Sequence, residues 1–185
     1  KGWLYTMFEQ YINIIEKSKL FYGIKEDEIV LLLQCLAPQI RSYSKNEFII
    51  NSGEAIDAFG LVLEGEAMVL KESADGNRVV MTVVKQGDLF GEMFVFSSRK
   101  KWPVTVRVQN PCKILFLKNS DLIARCGNNC SWHVTMLQNF MRVISDKSLM
   151  LNKKVEYLSI KSLRGKISTY LFEQYQNSKS NTIIL

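Results

Sequence analysis

Hydrophobic positions change their spacing twice along this chain, and the changes mark off three textures. Near the start, Trp3, Leu4, Phe8, Tyr11, Ile12 and Ile15 recur mostly at helical spacing, which predicts a helix over 3–17. A second helix is predicted over 26–36, where Glu26, Asp27 and Glu28 suit the positive end of a helix dipole. From Gln39 the pattern shortens into β-rich runs: Phe48-Ile49-Ile50, Gly60-Leu61-Val62-Leu63, Ala67-Met68-Val69-Leu70, Val79-Val80-Met81-Thr82-Val83, Val104-Thr105-Val106-Arg107-Val108 and Ile114-Leu115-Phe116-Leu117. Glycines at 53, 60, 65, 76, 87 and 91 punctuate them. Asp75-Gly76, between two such runs, signals a hairpin because both residue types tolerate positive φ. Short strands at this spacing predict an all-β roll or barrel.

The third texture begins near Ser131. Leu137, Ile144, Leu151 and Leu158 lie seven residues apart, with Val134, Met141, Ser148 and Val155 three before each. β-branched or flexible residues at a, with Leu or Ile at d, favour a parallel two-stranded coiled coil. Ser148 is the polar a position and would fix register at some cost in stability. A second stripe, Phe140, Val143, Met150 and Tyr157, would let the same helix pack on its own β-roll. A single buried helix is the plainer reading, but four unbroken heptads with two apolar stripes favour a dimer. Residues 160–165 break the heptad and read as a hinge. Residues 166–176 predict a further amphipathic helix with Ile167, Tyr170, Leu171 and Tyr175 inward. A polar loop over 177–181 and an apolar strand opening at Thr182 complete the pattern.

The length of 185 residues suits one or two domains, and 47% apolar with 23% charged residues is a globular composition rather than a disordered one. No apolar run approaches the roughly 18 residues needed to cross a bilayer. No charged-then-apolar leader is visible, and a start at Lys1 reads as a trimmed form. Four scattered cysteines, Cys35, Cys112, Cys126 and Cys130, read as thiols in a reducing compartment, which points to the cytoplasm. Cys126 and Cys130 would share a helix face, either as a redox or metal pair or as two packed thiols. Of the net charge of +6, residues 1–140 hold 16 Lys/Arg against 15 Asp/Glu, and residues 141–185 hold 8 against 3. A basic final third suits either the approach to a nucleic-acid-binding element or a solvated helix face.

The run Gly87-Asp88-Leu89-Phe90-Gly91-Glu92 resembles the phosphate-binding cassette of the cyclic-nucleotide-binding β-roll. Further pieces are Leu20-Phe21 with Gly23-Ile24, Tyr43-Ser44-Lys45-Asn46-Glu47-Phe48-Ile49-Ile50, Gly53-Glu54, Leu63-Glu64-Gly65, and the long helix with its hinge. Their order resembles the bacterial transcription regulators of the cyclic-AMP receptor protein/Fnr (Crp/Fnr) family. The resemblance implies an α+β fold: a cyclic-nucleotide-binding-like β-roll (a double-stranded β-helix or jelly roll) with flanking helices and a long C-terminal dimerisation helix. It divides the chain into a sensor domain over 1–130, a dimerisation helix over 131–160, and over 161–185 the opening of a winged helix-turn-helix that continues beyond Leu185. Its implied homodimer interface is Val134, Leu137, Met141, Ile144, Ser148, Leu151, Val155 and Leu158. Its implied partners are promoter DNA, bound by the full-length protein, and a small-molecule effector, with no membrane.

The effector site departs from the pattern. In the family, a Glu accepts the ribose hydroxyl, while an Arg and a hydroxyl residue about ten positions later join backbone N–H groups around the phosphate. Glu92 fills the first role, but ungapped counting places Trp102 and Pro103 in the others. Trp carries no cation and Pro no N–H. A small gap would instead bring Arg99, Lys100 or Lys101 into the phosphate slot, and that triplet reads equally as a solvated loop. Positions on the long helix that would meet the base fall on Leu151 and Asn152. The ligand-binding residues implied are therefore Phe90, Gly91, Glu92, Met93, Arg99, Lys100, Lys101, Trp102, Pro103, Leu151 and Asn152. No Cys precedes Cys35 to hold an iron–sulfur cluster, and His133 reads as a surface or interface residue rather than a haem ligand. No cofactor or metal is expected. An unidentified effector, aromatic if Phe90, Phe94, Phe96 and Trp102 line its site, or a pocket without ligand remains; the same aromatics suit core packing.

One His cannot build a cupin-type metal site, no nucleophile–base pair or P-loop is spaced for catalysis, and Glu92 has no evident acid–base partner, so a binder is expected rather than an enzyme. Two readings follow. One is the effector-sensing and dimerisation portion of a DNA-binding regulator that does not respond to cyclic AMP. The alternative is a cyclic-nucleotide-binding regulatory module of a larger enzyme or channel.

Overall fold

The computed structural model describes residues 8–55, 57–73, 75–123 and 131–178. Of the helix expected over 3–17, Ile12–Lys17 forms α1, followed by a single 3-10 turn at Lys19–Phe21. Helix α2 spans Glu26–Leu36, as expected. Its first turn is closed by Glu28, whose carboxylate accepts the Lys25 N–H at 3.1 Å. It ends where Ala37 turns left-handed ahead of Pro38.

Six antiparallel strands follow: β1 (Gln39–Tyr43), β2 (Phe48–Ile50), β3 (Ala58–Glu72), β4 (Arg78–Lys85), β5 (Leu89–Phe90) and β6 (Thr105–Lys118). They are ordered β1-β6-β3-β4, with β2 also on β6 and β5 also on β3. The runs expected as separate strands at 60–63 and 67–70 are one strand, as are those at 104–108 and 114–117. Each long strand bends instead of breaking. The pairing register shifts between Val62 and Ala67, and Gly65 adopts φ 80° there. A Cβ on Gly65 would lie 2.0 Å from the Pro111 carbonyl oxygen, so only glycine lets β3 pass β6 at this corner. In the hairpin at 75–76 only Gly76 takes positive φ; the Asp75 carboxylate instead accepts from the Ser73 hydroxyl and the Asn77 amide.

Alternation along the long strands builds two cores. Phe59, Leu61, Leu63, Leu115 and Leu117 face α1 and α2, while Val62, Val106, Val108, Cys112 and Ile114 face the inside of the roll. Helix α4 (Ser131–Ser159) follows the short α3 (Asn119–Ile123) and closes the first core with Met136, Phe140 and Val143. Asn139 Nδ2 donates to the carbonyls of Leu20, at 3.1 Å, and Tyr22, at 2.7 Å, tying α4 to the chain after α1. His133 is a correction: expected at a surface or interface, it is buried. Its Nε2 lies 2.7 Å from the Leu122 carbonyl, so it serves as a polar tie between α3 and α4.

Two compact units divide within α4, Lys1–Ile144 and Ser145–Leu185. In the second, α4 ends at Ser159 and α5 covers Leu163–Ser178, so the interruption is three residues and Leu163-Arg164-Gly165 belong to a helix. Ser162 Oγ caps α5 by accepting the Gly165 N–H at 3.0 Å. Glu173 receives the Tyr157 hydroxyl at 2.6 Å and Lys153 Nζ at 2.5 Å. Ile167, Tyr170, Leu171 and Tyr175, expected inward, are exposed; among the described residues of this unit α5 meets α4 through a polar clasp. The expected strand at 182–185 and the Cys126/Cys130 pair lie outside the described residues. Among the described residues, no helix is long and apolar enough to cross a membrane, and no group of His, Cys, Asp and Glu is placed to hold a metal ion.

Candidate functional site

The cassette is held in place by backbone bonds to β3. Gly87 N–H donates to the Val62 carbonyl at 2.8 Å, Val62 N–H to Asp88 at 3.0 Å, and the Asp88 carboxylate accepts the Lys85 N–H at 2.9 Å. Leu89 and Phe90 then pair with Leu61 and Gly60. Gly91, at φ 84°, turns the chain into a helical turn whose Phe94 N–H returns to the Gly91 carbonyl at 2.9 Å. Glu92 is 2% exposed and Met93 half-buried.

The return segment pairs with a distant part of the chain. Trp102 N–H donates to the Glu54 carbonyl at 2.8 Å, and Gly53 N–H donates back to the Trp102 carbonyl at 2.8 Å. This pairing turns the indole inward, where it is 4% exposed among Ile50, Val84, Phe90 and Ile114. Its ring edge lies against Gly91: a Cβ there would be 2.1 Å from Cη2. Phe94 meets the same indole edge-on, with ring centroids 5.7 Å apart.

Phe90, Gly91 and Trp102 are thus brought together, and Glu92 follows at once in a buried position. Pro103 is half-buried beside them in sequence. Arg99, Lys100 and Lys101 are exposed. Of the four aromatics, Phe90 and Trp102 are buried, Phe94 packs on Trp102, and Phe96 is 45% exposed with its ring against Phe140. Leu151 and Asn152 are exposed on the second half of α4. Of the seam positions on that helix, Val134, Met141, Val155 and Leu158 are more than half exposed, whereas Leu137 and Ile144 are half-buried against the first core. Sequence reading missed Arg41, Glu54 and Asp57, which share a cavity with Trp102. Nothing in local spacing points to them, because the cavity is assembled from segments between Ala37 and Asp121.

The antiparallel roll, its glycine-turned cassette and its flanking helices define a jelly-roll fold of the cyclic-nucleotide-binding type. The comparison with known families agrees: residues 40–129 match the model of the cyclic nucleotide-binding domain. The cAMP-activated global transcriptional regulator CRP of Pasteurella multocida is 28% identical over 75 residues, 40% of this chain and 36% of that protein. Human cGMP-dependent protein kinase 2 is 30% identical over 91 residues, 48% of this chain and 12% of the kinase. The chain therefore matches only about a third or less of the length of these relatives. A cyclic nucleotide-binding domain from Methylobacillus flagellatus KT superposes with a TM-score of 0.68 at 18% identity, covering 85% of this chain and 87% of that one.

Proposed function

We propose that this chain is the effector-sensing and dimerisation portion of a Crp/Fnr-type DNA-binding regulator, cytoplasmic and homodimeric through 131–160, whose sensor does not answer to cyclic AMP. The observation that carries this reading is the Trp102 indole seated on Gly91. A cyclic phosphate needs cations and N–H donors at the cassette; here an indole and a proline occupy the matching positions. Taking a buried Trp side chain out of a core costs about 3–5 kcal/mol, which a nucleotide lacking its cationic partner would have to offset. The exposed seam on α4 supports a second copy as partner. The capped α5 beyond a three-residue break, and the likeness to the Pasteurella regulator, support promoter DNA as the target of the full-length protein.

The kinase match supports a second reading, a regulatory module of a larger enzyme or channel. The parent gene beyond Leu185 separates the two: a helix-turn-helix pattern supports the regulator. For the sensor itself the test is a calorimetric titration with cyclic AMP. No saturable heat is expected at micromolar ligand, and heat is expected to appear when Trp102→Arg is combined with Pro103→Ser. Saturable heat from the unaltered chain would overturn the proposal and assign the cation to Arg99, Lys100 or Lys101.

A further inference from the structure

A cavity of about 150 Å³ opens beside Trp102. Its lining runs from Ala37 to Asp121 and includes Trp102 but none of residues 59–101, so the cassette does not contribute to it. Four side chains form an apolar wall: Ile49, Ile50, Trp102 and Phe116. An engineered apolar cavity of this size admits a benzene ring, about 150 Å³, so the space suits one compact apolar group.

The polar residues around it carry both signs. Arg41 and Lys118 supply cations, and Glu54, Asp57 and Asp121 supply carboxylates. Three of these are held by neighbours, Asp121 among them, whose Oδ1 accepts from the Ser120 hydroxyl at 3.0 Å. The Arg41 guanidinium lies 5.3 Å from the Phe116 ring centroid and donates to Gln39 Oε1 at 2.9 Å, and Glu54 Oε1 accepts from Asn51 Nδ2 at 2.7 Å. A simple anion would face three carboxylates, and a simple cation would face two bases. A compact zwitterion meets both signs while its body covers the wall.

We infer that this cavity is a binding site for a free α-amino acid with an apolar side chain of about the size of leucine or phenylalanine. Its carboxylate is held by Arg41 and Lys118, its ammonium by the Glu54, Asp57 and Asp121 group, and its side chain by Trp102 and Phe116. No residue of 87–92 lines the site, but it shares Trp102 with the slot discussed above, and the nucleotide control in the test separates the two readings.

The test uses the full chain carrying Trp3→Phe and Trp132→Phe, so that emission reports Trp102 alone. Leucine and phenylalanine are titrated with and without excess cyclic AMP. A saturable change at or below millimolar ligand is expected, unaffected by the nucleotide. It should weaken about tenfold or more in Arg41→Gln and in Glu54→Gln, as loss of a charge-assisted bond requires. Both positions are exposed, and circular dichroism confirms that these variants fold. Ala55→Phe, which fills the cavity from an exposed position, should abolish the response. The proposal is overturned if neither amino acid binds. It is equally overturned if isopentylamine or 4-methylpentanoate binds as tightly as leucine, because the site would then read one charge and not two.

Discussion

Gly91→Ala probes the contact on which the sensor reading depends. Two costs arise, one from the backbone and one from packing. Gly91 sits at φ 84°, where an L-residue loses about 1–2 kcal/mol relative to glycine. The new methyl would lie 2.1 Å from Trp102 Cη2, 2.9 Å from Cζ3 and 3.2 Å from Cζ2, while ordinary contact starts at 3.4 Å. The indole must therefore retreat by more than an ångström. It has little room, being 4% exposed, edge-on to Phe94 and anchored by two backbone bonds to Gly53 and Glu54. Overpacking of this kind costs about 1–3 kcal/mol, giving about 2–5 kcal/mol in all, a large part of a domain's usual reserve of about 5–15 kcal/mol. Urea unfolding followed by circular dichroism measures it as a lowered midpoint at unchanged slope. Trp102→Leu separates the two costs, because it removes the clash and leaves the backbone strain. The double variant should therefore be more stable than the sum of the singles by about 1–3 kcal/mol, the clash alone. A Gly91→Ala loss below about 1 kcal/mol, or strict additivity with Trp102→Leu, refutes the packing described here.

Two further outcomes concern the C-terminal helices. Tyr157 is pushed up to about 12 because its hydroxyl donates to Glu173, and Glu173 is held below its ordinary 4.5 by Lys153 and then by Tyr157. The tyrosine's contribution is complete below pH 10 and disappears as pH rises towards 12, while the carboxylate's is complete above 4.5 and disappears on acidification. Ultraviolet titration of Glu173→Gln should return Tyr157 towards the ordinary phenol range; an unchanged curve would mean that the clasp does not form. On the seam, Met141→Glu with Val155→Glu places charges at two exposed a positions. Sedimentation should shift from dimer to monomer with helicity retained, and a dimer that survives both changes would locate the interface elsewhere.

What the sequence made legible depended on the range of the determining contact. Strand content could be read from β-branched runs, and the cassette from glycines that now stand at positive φ, because both are local properties. Gly65 looked like a break between strands because a glycine in a strand is locally ambiguous. Whether it breaks or bends is decided by Pro111, forty-six residues on, against which no Cβ fits. That Trp102 brings no cation is plain from its residue type, but the direction of its ring is not, since that follows from pairing with Gly53 and Glu54. His133 was misplaced for a related reason. It lies one heptad before Phe140, in line with the stripe that faces the roll, but a polar residue is buried there because the Leu122 carbonyl, outside the helix that carries it, gives it a partner.

The exchange proposed at Trp102 also makes a stability argument that can be tested. A guanidinium at a site 96% removed from solvent is tolerable only with an anion beside it, and a buried charge left without its partner costs about 3–5 kcal/mol. A roll that meets no phosphate is therefore better served by an indole, which fills the space with apolar surface and needs no counter-ion. Trp102→Arg with Pro103→Ser should accordingly lower the urea midpoint of the ligand-free chain. Cyclic AMP should then restore about 2.7 kcal/mol at a hundred times its dissociation constant, since only the folded form binds it. The parent chain should show no such dependence. If the double variant is as stable as the parent without nucleotide, the guanidinium has found another partner or reached solvent, and Trp102 is not the residue that closes the slot.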